Sequence, residues 1–143
     1  MRDHLVKHGD RIPDIESRII ETQVPCVRFD DLCKKHDFQD FDFLHIDTEG
    51  YDYEILKTID LERYQPLAIL YEHKHLGEQD RNAALQLLHG LGYSSLSIFE
   101  DTLAVKRHIL ENCAGVRRIW RRCLNYAGHE YPVTHAIAAE PMT

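Results

Sequence analysis

A chain of 143 residues with 43% hydrophobic and 29% charged content is long enough for one globular core and too short for two. Its formal net charge of −7, with histidine neutral, leaves no overall basic field to draw in nucleic acid or anionic lipid. The apolar runs are short and Met1-Arg2-Asp3-His4 lacks the layout of a secretion signal, so a soluble, cytoplasmic protein with neither nucleic-acid nor membrane partners is expected.

In chain order, residues 1–23 are polar, with one short apolar pair at Ile19-Ile20, and predict a loosely ordered lead-in with one helical turn. Val24-Pro25-Cys26-Val27-Arg28-Phe29 predicts a short strand, placed at an edge because proline cannot donate to a ladder. Asp30 is the expected cap of a helix running to Lys35, with Asp31 complementing its dipole. Phe41 to Ile46 predicts a strand that runs into the turn Asp47-Thr48-Glu49-Gly50. A helix from Tyr51 to Thr58 follows, burying Ile55, Leu56 and Ile59 at helical spacing.

Pro66 opens the next predicted strand, Leu67 to Glu72, whose apolar residues on both faces call for helices on two sides. After a loop from His73 to Gly77, a helix from Glu78 to His89 turns Ala84, Leu85 and Leu88 inward and stops at Gly90. Ser94–Phe99 and Thr102–Lys106 have hairpin spacing around Glu100-Asp101. Residues 24–107 thus predict an α/β domain with a mostly parallel sheet and an antiparallel edge hairpin. Residues 108–143 predict one long amphipathic helix and a tail. Ile109, Cys113, Val116, Trp120, Cys123 and Leu124 form its apolar stripe, and Arg117, Arg118, Arg121 and Arg122 a solvated face.

Cys26, Cys33, Cys113 and Cys123 show no C-x-x-C spacing, and their apolar neighbours predict buried free thiols. The loose histidine pairs His4/His8, His73/His75 and His129/His135 form no ligand spacing on one helix. No metal ligand is therefore assigned, and whether Glu72, His73 and His75 hold an ion stays open.

Ligands of a parallel α/β sheet bind beyond the carboxyl ends of its strands. Two predicted strands end there in polar groups: Asp47 and Glu49 after the first, Glu72-His73-Lys74-His75 after the second. Strands joined by one helix usually pair, so these groups are expected to share a cleft that could deprotonate a hydroxyl, bind a divalent cation or grip a cofactor. The plainer reading is that Asp47 and Glu49 only cap the helix at Tyr51, with Gly50 permitting a tight turn. Ile46-Asp47-Thr48-Glu49 also resembles the first acidic motif of two-metal 3′-5′ exonucleases. The negative net charge counts against that chemistry, and no Asp follows Asp101 to complete a late motif of His with Asp four or five residues on.

Val24 to Leu32, Phe41 to Leu56, Pro66 to Leu76, and Gly92-Tyr93 with Asp101 to Ala104 resemble, in order and spacing, the FkbM-type methyltransferases; His4 to His8 resembles the segment before them. The resemblance implies a Rossmann-like sheet, S-adenosylmethionine as methyl donor and a hydroxyl on a sugar or other small metabolite as acceptor. It places Asp47, Glu49, Glu72 and His73 in catalytic roles, Asp47 and Thr48 toward the cofactor, and Tyr51 and His75 toward the acceptor. Asp47 or His73 is the expected group that orients or deprotonates the acceptor.

The chain departs from the family in its glycines, at 9, 50, 77, 90, 92, 115 and 128: none forms the glycine-rich turn after a first strand that lets a cofactor approach the backbone. The expectation is a partial fold lacking its first strands, a fragment or truncation that binds S-adenosylmethionine weakly, if at all, or serves as a non-catalytic binding or assembly module. The strand at Phe41–Ile46 is then left with an open edge. Val24–Phe29, the helix from His108 or a second copy of the chain is expected to cover it, favouring a homo-oligomer.

Overall fold

The computed structural model describes Ile12 and residues 14–130. His4, His8, His135 and most of the predicted tail therefore lie outside the described residues. Two helices come first, α1 (Ile15–Arg18) and α2 (Phe29–Lys35). They are followed by β1 (Phe43–Ile46), α3 (Asp52–Thr58), α4 (Leu61–Tyr64), β2 (Ala68–Glu72), α5 (Glu78–Gly90), β3 (Tyr93–Ile98) and β4 (Asp101–Lys106). Helices α6 (Arg107–Asn112) and α7 (Ala114–Glu130) are the last described elements. None of the described helices is long and apolar enough to cross a membrane.

The α/β class is as expected, and the four strands among the described residues order as β1-β2-β4-β3. β1 and β2 are parallel in the register Leu44↔Ile69 and Ile46↔Tyr71. β4 lies antiparallel to β2 on one side and to β3 on the other. Three strands thus run in one direction, but only one of the three pairings is parallel. The hairpin does occupy an edge, with its second strand turned inward against β2. Its turn sits one residue earlier than expected, at Phe99-Glu100, with Phe99 in the left-handed region at φ 55°.

One face of the sheet carries Leu44, Ile46, Ile69, Tyr71, Tyr93 and Ala104, which form the core with Leu56 and Ile59 at the end of α3, Leu61 and Tyr64 of α4, and Ala84 and Leu88 of α5. These apolar positions recur at helical spacing on the helices and alternate on the strands, which is why the layers close on one another. The other face is covered where α6 and α7 pack against β4 and β3, around buried Leu96 and Val105. At β1 that face stays open, with Phe43 54% exposed. β2 accordingly alternates buried Ile69 and Tyr71 with half-buried Ala68, Leu70 and Glu72, so the expected cover on both faces is present on one.

Several local expectations change. Val24 to Val27 form no strand and are exposed. Phe29 heads α2 instead, because its ring packs edge-on against Phe41 and Tyr64, each at 5.7 Å between centroids. The cap position of α2 is Arg28, without a side-chain bond, and Asp30 lies inside the first turn. Gly90 is the last residue of α5, and the left-handed residue that ends it is Gly92 at φ 83°. The long C-terminal helix is broken at Cys113, which has extended backbone. Its stripe residues Val116, Trp120, Cys123 and Leu124 are only half-buried. Of the thiols, Cys33 is buried and Cys123 half-buried, whereas Cys26 and Cys113 are exposed: neither the coil before α2 nor the break before α7 packs against the core.

β1 pairs with β2 alone among the described residues. Neither Val24–Phe29 nor the C-terminal helices cover its outer edge: the former is not a strand, and α7 packs at the opposite end of the sheet, on β3.

Candidate functional site

The parallel pairing of β1 with β2 brings both acidic strand ends to the same edge of the sheet. The turn after β1 is built by Asp52, the first residue of α3, whose side chain is wholly buried. Its Oδ2 accepts from the Thr48 amide at 3.4 Å, the Thr48 hydroxyl at 3.0 Å and the Gly50 amide at 3.3 Å. Its Oδ1 accepts from the Glu72 amide at 3.2 Å, so one carboxylate ties the turn to the end of β2. Buried polar groups are stable only when bonded in this way. Asp52 was not singled out in the sequence, where an acidic residue in the first helical turn looks like an ordinary dipole partner.

Held by that frame, Glu49 adopts a left-handed backbone at φ 54° and Gly50 one at φ 104°. A side chain at Gly50 would stand 3.2 Å from the His75 Cβ, so glycine is what lets the loop after β2 close on the turn. Arg81 of α5 fixes that loop from below, donating to the Leu76 carbonyl at 3.0 Å and to the Lys74 carbonyl at 2.8 Å.

Glu49, Glu72 and His75 meet in the cleft. His75 Nε2 lies 3.4 Å from Glu49 Oε2 and 3.9 Å from Glu72 Oε1. Burial raises the Glu72 carboxyl above its ordinary value; His75 pulls it back, and Glu49, Asp47 and Asp52 push it up further. A carboxyl displaced upward in this way holds a proton more readily than an exposed one. Asp47 and Tyr51 are exposed beside the turn, Tyr51 at 68%.

Two expected site residues are engaged elsewhere. Thr48 gives both its amide and its hydroxyl to Asp52. His73 turns toward the hairpin: its Nδ1 is 2.9 Å from Thr102 Oγ1, which in turn meets Ser97 Oγ at 2.8 Å. Burial, then the charge of Arg81, lowers the His73 pKa. The structure therefore gathers Glu49, Glu72 and His75, with Asp47 in electrostatic reach of Glu72, Tyr51 exposed beside the turn, and Thr48 and His73 in the supporting frame.

Searches of curated proteins and of solved structures return no match. The Methyltransferase FkbM domain matches residues 4–95, which take in β1, the Asp47–Gly50 turn, β2 and the loop through His75. That match spans more than half of the chain and includes every residue of the cleft, and the chain belongs to the FkbM methyltransferase domain family.

Proposed function

We propose that this chain carries the acceptor side of a site for O-methyl transfer from S-adenosylmethionine to a hydroxyl of a sugar or other small metabolite. The observation that supports this reading is the convergence of Glu49, Glu72 and His75 on one cleft at the carboxyl ends of two parallel strands. In it Glu72, whose carboxyl is raised by burial, takes the acceptor proton, and exposed Asp47 orients the hydroxyl. Glu49 and His75 hold the acceptor's polar groups, and the exposed Tyr51 ring offers an apolar platform. His73 and Thr48 act by holding the loop and the turn in place.

S-adenosylmethionine, when bound, supplies an electrophilic methyl group. The described residues offer it one polar wall and no glycine-lined turn from a strand into a helix; the open side of Gly50 is taken by His75. We read the sheet as the second half of a Rossmann-like one, since its first three strands run in one direction with helices between them. Calorimetric titration of the chain with S-adenosylmethionine is expected to give no saturable heat in the micromolar range. Micromolar affinity would overturn the half-site reading.

The open edge of β1, next to exposed Phe43, supports edge-to-edge association of two copies. Light scattering is expected to report a dimer or higher oligomer, shifted to monomer by Phe43→Lys; a monodisperse wild-type monomer contradicts this. A non-catalytic assembly module is the second reading, favoured by the half-buried apolar stripe of α7. Four thiols without disulfide partners support a cytoplasmic location.

A further inference from the structure

The donor atoms of Glu49, Glu72 and His75 all lie within 4.8 Å of one another. They come from two segments far apart in the chain, the turn after β1 and the end of β2 with the loop that follows it, so no local repeat of acidic residues accounts for the cluster. The set is also mixed, two carboxylate oxygens with one imidazole nitrogen. His75 Nε2 stands 3.4 Å from the Glu49 oxygen and 3.9 Å from the Glu72 oxygen. An ion bound at about 2.1 Å to each ligand spreads neighbouring ligand atoms roughly 3.0–3.4 Å apart, which is the range the cluster approaches.

An independent observation points the same way. Glu72 is 14% exposed at its side chain, and its Oε2 is buried with no hydrogen-bond partner among the described residues. A buried acceptor oxygen without a donor is costly unless positive charge is brought to it, as a bound cation would do. The backbone is arranged to produce this crowding. Glu49 and Gly50 both take left-handed conformations, and Gly50 admits His75 at a distance that a side chain would obstruct. Asp52 and Arg81 hold the two loops from which the ligands project.

We propose that Glu49, Glu72 and His75 form a binding site for one divalent first-row metal ion. Two oxygens and an imidazole nitrogen suit Mn²⁺, Fe²⁺ or Zn²⁺ better than Mg²⁺ or Ca²⁺, which prefer all-oxygen shells. Glu49 is 47% exposed, so the ion keeps open positions for water or for an oxygen of a hydroxylated small molecule. The site stands whether or not the chain handles S-adenosylmethionine; with the ion bound, Glu72 is its ligand and not the group that takes the acceptor proton.

The test titrates the whole chain with Mn²⁺ alone, following loss of the free-ion signal in electron paramagnetic resonance. One saturable equivalent per chain is expected, with Zn²⁺ competing for it. Glu72→Gln and His75→Ala each weaken Mn²⁺ binding at least about tenfold. Glu54→Gln, which touches only the surface pair with Lys57, leaves it unchanged. Mn²⁺ also raises the unfolding midpoint of the wild type and not of Glu72→Gln, which removes no hydrogen bond of the fold and so folds as the reference. Absence of saturable binding, or equal binding by wild type and Glu72→Gln, overturns the proposal. Either result leaves the cluster as contacts of His75 with two carboxylates.

Discussion

Replacing Asp52 with alanine is expected to destabilise the chain by about 3–5 kcal/mol, a large share of the roughly 5–15 kcal/mol that holds a domain together. The size follows from the number of donors left behind. Asp52 is completely buried and accepts from four of them: the Thr48 amide and hydroxyl and the amides of Gly50 and Glu72. Thr48 is only partly buried and can recover bonds to water. The two remaining amides lose a charge-assisted bond each, at about 1.5–3 kcal/mol apiece. Asp52→Asn keeps one acceptor oxygen and places an amino group among donors, so it is expected to lose about half as much. Urea denaturation measures both. A loss below about 1 kcal/mol for the alanine variant would contradict the role given to Asp52 as the bolt between β1 and β2.

Gly50→Ala is expected to lose about 2 kcal/mol, from two sources. The backbone at φ 104° lies outside what other residues adopt without strain, at about 1–3 kcal/mol, and the added methyl meets the His75 Cβ at 3.2 Å. Relief comes only by moving the loop after β2, so the variant also separates His75 from Glu49. Denaturation gives the energy, and the imidazole resonances of His75 report the displacement. An alanine variant with wild-type stability and unchanged His75 resonances contradicts this account of the turn.

The site was more legible in the sequence than the sheet around it. Asp47-Thr48-Glu49-Gly50 lies between an alternating strand and a helical pattern, and Glu72 ends a run of apolar residues; both are local signals that pairing of neighbouring strands brings together. Asp52 escaped because burial is not written into an acidic residue's neighbours. It becomes visible only when the Glu72 amide, twenty positions away, is found on its carboxylate. The strand order was not legible for a related reason. A hairpin specifies that β3 and β4 pair but not which of them meets β2, and Leu103 and Val105 carry no mark distinguishing them from Leu96 and Ile98. At Val24–Val27, β propensity alone did not pair the segment with the open edge of β1, and the packing of Phe29 on Phe41 and Tyr64 set the start of α2. Cys113 breaks the last helix in a stretch whose apolar spacing runs through it unaltered, so periodicity alone could not reveal the break.

The central claim, that the cleft between Asp47–Tyr51 and Glu72–His75 is the functional site of this FkbM-family chain, is tested most directly by amide NMR. The labelled chain is titrated with S-adenosylhomocysteine into the millimolar range, where a single polar wall can still be detected. The account predicts fast-exchange shifts concentrated at Asp47 to Tyr51 and Glu72 to His75. Shifts centred on any other surface, or none at those amides, would contradict it.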